Sequence, residues 1–310
     1  MSTMIVSRRQ ALLAGAALPF ATTLLPAPAR AAADMQGPAT AGFNRFRLGG
    51  FEVTTLMAGT RTIDNPSGIF GLNADPAAFA AASAAAFLPT DKAQFFFTPT
   101  LVNTGTGLVL FDTGLAGTPM TAALAAAGIS PDQIDVVVLT HMHGDHIGGL
   151  MTDGVATFAN ARYVTGAIEN NHWAAAADEG YDGLVRPLAD RMTFLDDGSA
   201  VVPGITAMAA FGHTPGHMAF MVDSDSAGLV ITGDTANHYV WSLAHPDWDV
   251  VFDADKPAAA ATRRTLFGMI AADRLPFIGY HMPFPSLGYV ETADSGFRYV
   301  PASYQMMLNG

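Results

Sequence analysis

Four apolar runs in this 310-residue chain end in the same way. Val136-Val137-Val138-Leu139-Thr140 leads into His141, and Met208-Ala209-Ala210-Phe211-Gly212 leads into His213. Leu229-Val230-Ile231-Thr232-Gly233 leads into Asp234, and Phe277-Ile278-Gly279-Tyr280 leads into His281. Short apolar runs bounded by glycine and polar residues read as buried strands. Each strand therefore delivers an imidazole or a carboxylate just past its C-terminal end, where a rigid element holds it more tightly than a loop does. A fold that sets these four ends side by side builds one polar, metal-competent site at a sheet edge.

The first of these ends opens the segment His141-Met142-His143-Gly144-Asp145-His146. In extended backbone, residues i and i+2 project the same way, so His141 and His143 can grip one ion. The chain then turns into a helix through Ile147-Gly148-Gly149-Leu150, which lets Asp145 and His146 face a second ion. There is no cysteine, which excludes a thiolate nucleophile, a Cys-ligated metal and an iron–sulfur cluster. Imidazole-rich, thiol-free coordination suits Zn²⁺ best, with Mn²⁺, Co²⁺ or Fe as substitutes. Asp and Glu number 27 against 15 Lys and Arg, a formal net charge of −12. Such a surface repels phosphate backbones, so nucleic acid is not an expected partner.

Met1 to Ala31 reads as an export signal rather than as part of the core. It carries Arg8 and Arg9 but no acid, then an apolar stretch from Ala11 to Leu25 and an Ala-x-Ala site at Ala27-Pro28-Ala29 or Ala29-Arg30-Ala31. The apolar stretch is too short to span a bilayer comfortably, so no membrane span is expected. Ser7-Arg8-Arg9-Gln10-Ala11-Leu12-Leu13 resembles the twin-arginine signal, with Ala11 where an aromatic is usual and Leu13 where lysine is common. The ordinary secretory route is the other reading, and either places the product in the periplasm or outside the cell. No linker or low-complexity tract divides the remainder, which is read as one domain over residues 41–304. Its β-rich runs alternate with helical patterns at Pro76 to Phe87, Pro119 to Ala127, Ala167 to Ala177 and Pro257 to Ala272. Sheets packed together and covered by helices are expected, an α+β arrangement.

His141 to His146, Gly212-His213-Thr214-Pro215-Gly216-His217, Gly233-Asp234, His281 and the upstream turn Phe111-Asp112-Thr113-Gly114 together resemble the metallo-β-lactamase superfamily. Within it the chain is similar to the methyl parathion hydrolase-like metallohydrolases, and more distantly to the acyl-homoserine lactonases. That closer resemblance also runs over Leu101-Val102-Asn103-Thr104-Gly105 and from Phe284-Pro285 through Phe297-Arg298-Tyr299-Val300-Pro301. It implies an αββα sandwich with a dinuclear zinc site at one edge. It further implies that His141, His143 and His213 hold one ion, that Asp145, His146 and His281 hold the other, and that Asp234 bridges both. Asp112 is expected to support a ligand histidine from behind, and His217 to orient a ligand or close its loop.

The reaction implied is hydrolysis by a metal-bridging hydroxide, with Asp234 steering or taking the proton. Phe95, Phe96, Phe97, Trp173 and Phe284 are candidate walls of an apolar substrate pocket. Among the remaining histidines, His238 is the candidate for touching substrate, while His172 and His245 read as surface or pocket-wall residues. Neutral hydrophobic esters or phosphotriesters are the expected small-molecule substrates, with acyl-homoserine lactones as the alternative. Asn237 stands three residues after Asp234, where homoserine lactonases resemble one another in carrying a tyrosine. A non-catalytic metal-binding protein is a third reading, and lost ligands would be its signature. The oligomeric state is left open, with a homodimer as the form to test.

Overall fold

The computed structural model describes residues 34–308 except 36 and 295. The expected export signal, Met1 to Ala31, lies outside the described residues. The chain divides into Met1–Ala39 and Thr40–Gly310, and the second unit carries every helix and strand described.

Two sheets of seven strands form this unit. In order across the first lie Phe43–Leu48, Phe51–Leu56, Thr100–Asn103, Leu108–Phe111, Val136–Val138, Arg162–Gly166 and Met192–Leu195. Across the second lie Ala200–Val202, Ile205–Ala209, Met218–Ser224, Ala227–Gly233, Phe277–Gly279, Leu287–Thr292 and Phe297–Pro301. The short strand Val136–Val138 shows why the sheets pack as they do. It pairs in parallel on both sides, so both its faces are covered and all three valines are buried. Val136 and Val138 point inward with Phe111, Phe220, Ile231 and Ile278, forming the core between the sheets. Val137 points outward into a second core with Met120, Ala123 and Leu124.

Those last three residues belong to α2, Gly117–Ala126, counting α1 as Pro76–Ala85. Their i, i+3, i+4 spacing makes the buried stripe of a surface helix. On the opposite face of the molecule α5, Lys256–Ala272, begins at Asp255, whose side chain accepts the Ala258 N–H at 3.0 Å. It lays Leu266, Phe267 and Ile270 on Val230, Phe277 and Val290 of the second sheet. Between these helices in sequence lie α3, Gly144–Ile147, and α4, Ala167–Ala175. Helix, sheet, sheet, helix is thus the layer order, the αββα sandwich expected.

One element was not foreseen. Gly59–Asp64 and Lys92–Phe97 pair antiparallel as a separate two-stranded ribbon, with α1 between them in sequence. Alternation along its second strand buries Ala93, Phe95 and Phe97 on one side. That ribbon forms one wall of the site.

Candidate metal centre

Strand direction brings the ligands together. Ile205–Ala209 and Ala227–Gly233 are each antiparallel to Met218–Ser224, and Ala227–Gly233 is parallel to Phe277–Gly279. These three strands therefore point the same way, and His213, Asp234 and His281 follow their ends along one edge. Val136–Val138 of the facing sheet delivers His141 beside them, and α3 carries Asp145 and His146 in its single turn.

Three ring nitrogens converge first. His141 Nε2 lies 3.0 Å from His143 Nδ1 and 3.2 Å from His213 Nε2, and the last two are 3.0 Å apart. Tetrahedral zinc with Zn–N bonds of about 2.0–2.1 Å places neighbouring nitrogens about 3.3 Å apart, so the spacing fits a shared ion. In the second set, Asp145 Oδ2 lies 3.6 Å from His146 Nε2 and 3.3 Å from His281 Nε2. Asp234 stands between the sets. Its Oδ1 is 3.3 Å from His146 Nε2, while its Oδ2 is 3.1 Å from His281 Nε2 and 3.5 Å from His213 Nε2.

Hydrogen bonds behind the ligands show which nitrogens carry lone pairs. His213 Nδ1–H donates to Asp253 Oδ1, His146 Nδ1–H to Asp112 Oδ2, and His281 Nδ1–H to the Phe96 carbonyl, at 3.0, 2.9 and 2.8 Å. The Thr140 hydroxyl donates to Asp112 and therefore accepts from His141 Nδ1–H at 3.1 Å. His141 and His213 thus turn an unprotonated Nε2 inward, and His146 and His281 do so once a cation neutralises the carboxylates beside them. Lone pairs facing one another at 3.2 Å repel unless a cation lies between them. His146 Nε2 and Asp234 Oδ1 are also buried without a hydrogen-bond partner, an arrangement that is costly unless a third group satisfies both. The residues present fit divalent metal, with His141, His143 and His213 gathered in one group and Asp145, His146 and His281 in another.

The electrostatics agree. Burial, then the neighbouring imidazoles, lowers His141 well below the ordinary histidine range and His143 to about 4, which keeps both neutral as ligands must be. Burial also opposes a cation at His146 and His281. The Asp234 and Asp145 carboxylates outweigh it, raising His146 well above its usual value and His281 to about 10. Carboxylates gathered so closely call for positive charge, which a divalent ion supplies while leaving both imidazoles neutral.

Supports for the ligands come from several elements. Asp112 sits in left-handed backbone, φ 61°, uncommon for a residue with a side chain. It accepts from Thr140 N–H and from His146, so the Asp-Thr-Gly turn does stand behind a ligand histidine. His217 donates from Nδ1 to the Ala210 carbonyl and accepts the Asp234 N–H on Nε2, orienting that aspartate's backbone. Asp253, Arg263 and Glu169 were not foreseen. Asp253 sits in an acidic loop and Arg263 and Glu169 in helical runs, where nothing local in the sequence distinguishes them. All three are buried.

Five of the seven donors, His143, Asp145, His213, Asp234 and His281, floor one side of a cavity of about 480 Å³, lined also by Arg61, Ile63, Phe95, Phe97, Leu115 and Phe252, while His141 and His146 lie buried behind them. The expected pocket residues divide around the ribbon. Phe95 and Phe97 face this cavity, whereas Phe96, on the alternate face, lines a separate cavity of about 360 Å³ with His238, Tyr239 and Trp241. Phe284 lines neither cavity. His238 Nδ1 accepts the backbone N–H groups of Val240 and Trp241 and its ring stacks on Trp241 at 4.0 Å, so it caps a helical turn. Trp173 stands edge-on to His143 at 5.8 Å, its indole N–H given to Glu169. Asn237 is buried and donates to Asp234 Oδ2 at 2.8 Å. A tyrosine there would not simply add a phenol to the cavity.

Comparison with known proteins agrees with this architecture. The chain is 32% identical over 138 residues to the lactamase-like protein vrtG of Penicillium aethiopicum, covering 43% of this chain and 38% of that one. It is 26% identical over 110 residues to an N-acyl homoserine lactonase of Bacillus cereus, covering 35% and 40%. The matched stretches thus span less than half of these curated relatives. Among solved structures it is similar to AidC, a dizinc quorum-quenching lactonase, with TM-score 0.78 and 25% identity over 85% of this chain and 98% of that one. It also matches the fold of the hydrolase AbOPH, with TM-score 0.79 and 24% identity over 86% of this chain and 100% of that one. The profile of the metallo-beta-lactamase superfamily matches residues 98–279, and the chain belongs to that superfamily.

Proposed function

We propose that this protein is a dinuclear metal-dependent hydrolase of ester-type bonds in neutral, apolar small molecules. The observation that supports it is the placing of Asp234 within 3.5 Å of ring nitrogens from both sets, at the floor of a largely apolar-walled cavity. Bound divalent ions supply water that is nucleophilic near neutral pH and polarise the scissile oxygen. This chain's own residues do the rest. Ile63, Phe95, Phe97, Leu115 and Phe252 exclude bulk water and seat an apolar body. Asp234, held at Oδ2 by Asn237 and at its own N–H by His217, is placed to hold a proton. All seven donor positions are filled, which speaks against a non-catalytic metal-binding protein.

Aryl esters and phosphotriesters are the preferred substrates in this proposal. Among the described residues no tyrosine lines the cavity, and a phenolate departs without a protonating partner, whereas a lactone's alkoxide gains from one. The lactonase reading has its own support in the AidC and Bacillus cereus relatives. Zinc-loaded protein assayed on an aryl ester, a dimethyl aryl phosphotriester and a medium-chain acyl-homoserine lactone tests both. A higher kcat/KM on either aryl substrate is expected; efficient lactone opening with both aryl substrates ignored favours the alternative, and inertness toward all three by protein holding two ions overturns the enzyme reading. Export through the twin-arginine route is part of the proposal, supported by the Arg8-Arg9 segment. Unprocessed cytoplasmic precursor is expected for the double variant Arg8→Lys, Arg9→Lys, and normal delivery would point to the general secretory route.

A further inference from the structure

Glu169, in the first turn of α4, has no exposed surface, and its carboxylate accepts four hydrogen bonds. Oε1 takes the Met142 N–H at 3.0 Å and the Trp173 indole N–H at 2.6 Å. Oε2 takes the Thr214 hydroxyl at 2.7 Å and the Gly216 N–H at 3.0 Å. These partners are all neutral, and a buried anion is tolerated only when its lone pairs are satisfied in this way. The approach is so close that a Cβ on Gly216 would fall 2.1 Å from the Glu169 backbone nitrogen, so only glycine fits there.

Three of the four partners belong to one set of ligands, and the fourth, Gly216, precedes the His217 that takes the Asp234 N–H. Met142 lies between His141 and His143, Thr214 follows His213, and Trp173 stands against the His143 ring. The other set is held differently. Asp112 takes His146, the Tyr280 hydroxyl donates to the Asp145 carbonyl at 2.5 Å, and the Phe96 carbonyl takes His281. Asp112 also reaches His141 through Thr140, so it acts on both sets.

We infer that Glu169 is a positioning residue chiefly for the His141, His143 and His213 site, joining its two ligand loops so that loosening it weakens one ion more than the other. The inference rests on the two-ion site proposed above. Glu169→Gln keeps shape and one acceptor oxygen but turns an amide N–H₂ toward two donors, loosening one loop from the other. Two-step competition for Zn²⁺ against a chromophoric chelator reads both affinities in one titration. Supports behind metal ligands typically govern affinity by ten- to hundredfold, so one ion is expected to weaken by about that factor and the other by less than about threefold. Thr214→Val, which removes one donor, is expected to weaken one ion less strongly and to leave the other, and it carries the test if Glu169→Gln does not fold. Equal weakening of both ions, or of neither, overturns the inference. Wild-type protein holding fewer than two ions overturns the two-ion reading and the inference with it.

Discussion

Asp253 Oδ1 accepts Nδ1–H of His213 at 3.0 Å while its Oδ2 accepts from Arg263 at 2.8 Å, and neither Asp253 nor Arg263 is exposed beyond 2%. Arg263 also donates to the carbonyls of Pro246 and Trp248, so α5 is tied through one guanidinium to a ligand on the sheet edge. Removing one member of a buried ion pair leaves the other uncompensated, at a cost of about 3–5 kcal/mol. Asp253→Asn should therefore lower unfolding free energy by about that amount and weaken one Zn²⁺ by about ten- to hundredfold. Denaturant unfolding and the chelator titration check the two effects separately. An unchanged zinc affinity would mean that Asp253 serves the fold only.

Asp234 is the residue on which both ligand sets depend. On the two-ion reading Asp234→Ala should leave a folded protein whose turnover falls by about three orders of magnitude or more, because both ions and the carboxylate proposed to hold a proton would be disturbed at once. His245→Ala is the contrast. That ring stacks on Trp248 at 3.9 Å, away from the ligands, and its loss should leave kcat/KM within about twofold, as for a side chain outside the reacting constellation. Similar losses in the two variants would show that the centre is misplaced.

His238 offers a pH-dependent test of its structural placement. Burial depresses its pKa from 6.5 to about 3, and its Nδ1 must stay unprotonated to accept two backbone N–H groups. A depressed histidine binds fewer protons folded than unfolded, so its contribution is present above the unfolded pKa and is lost progressively as pH falls below it. Between pH 7.5 and 5.5 that amounts to about 1.4 kcal/mol. In a His238→Asn variant the side-chain amide oxygen can accept the same bonds without titrating. The stability difference between wild type and variant, measured on zinc-loaded protein, should shift by about 1.4 kcal/mol toward the variant over this interval. A constant difference would show that His238 is not held neutral.

The centre was more legible in the sequence than its surroundings. Ligands at strand ends leave a pattern, since an apolar run stops and a histidine or aspartate follows, and His141 to His146 compress four donors into one segment. The sandwich was legible for the same reason, through Val136-Val137-Val138 and its counterparts. Glu169 and Asp253 leave no such trace, because their roles depend on loops that sequence separates by 27 to 45 residues. Phe96 and His238 line the neighbouring cavity that His281 also borders, and alternation along a strand shows that Phe95 and Phe96 face apart without showing which face meets the other donors. Only the register of the ribbon, with Phe97 opposite Gly59 and Phe95 opposite Arg61, decides that.

Asn237 decides whether a phenol at this position can reach the cavity. From sequence, tyrosine here would narrow the gap between lactone and aryl substrates if it can reach the lactone. In the fold Asn237 is 2% exposed and its Nδ2 donates to Asp234 Oδ2. Asn237→Tyr would remove that bond and force a larger ring into a filled space, and overpacking of this kind costs about 1–3 kcal/mol. The added phenol also competes for the carboxylate that both ligand sets share. We expect lactone and aryl-ester turnover to fall together in Asn237→Tyr, with weaker zinc retention, while Asn237→Ala loses the bond without the clash and falls less. Parallel kcat/KM measurements on both substrates decide the matter, since a lactone rate that rises while the aryl-ester rate holds would show that the tyrosine reaches the cavity after all.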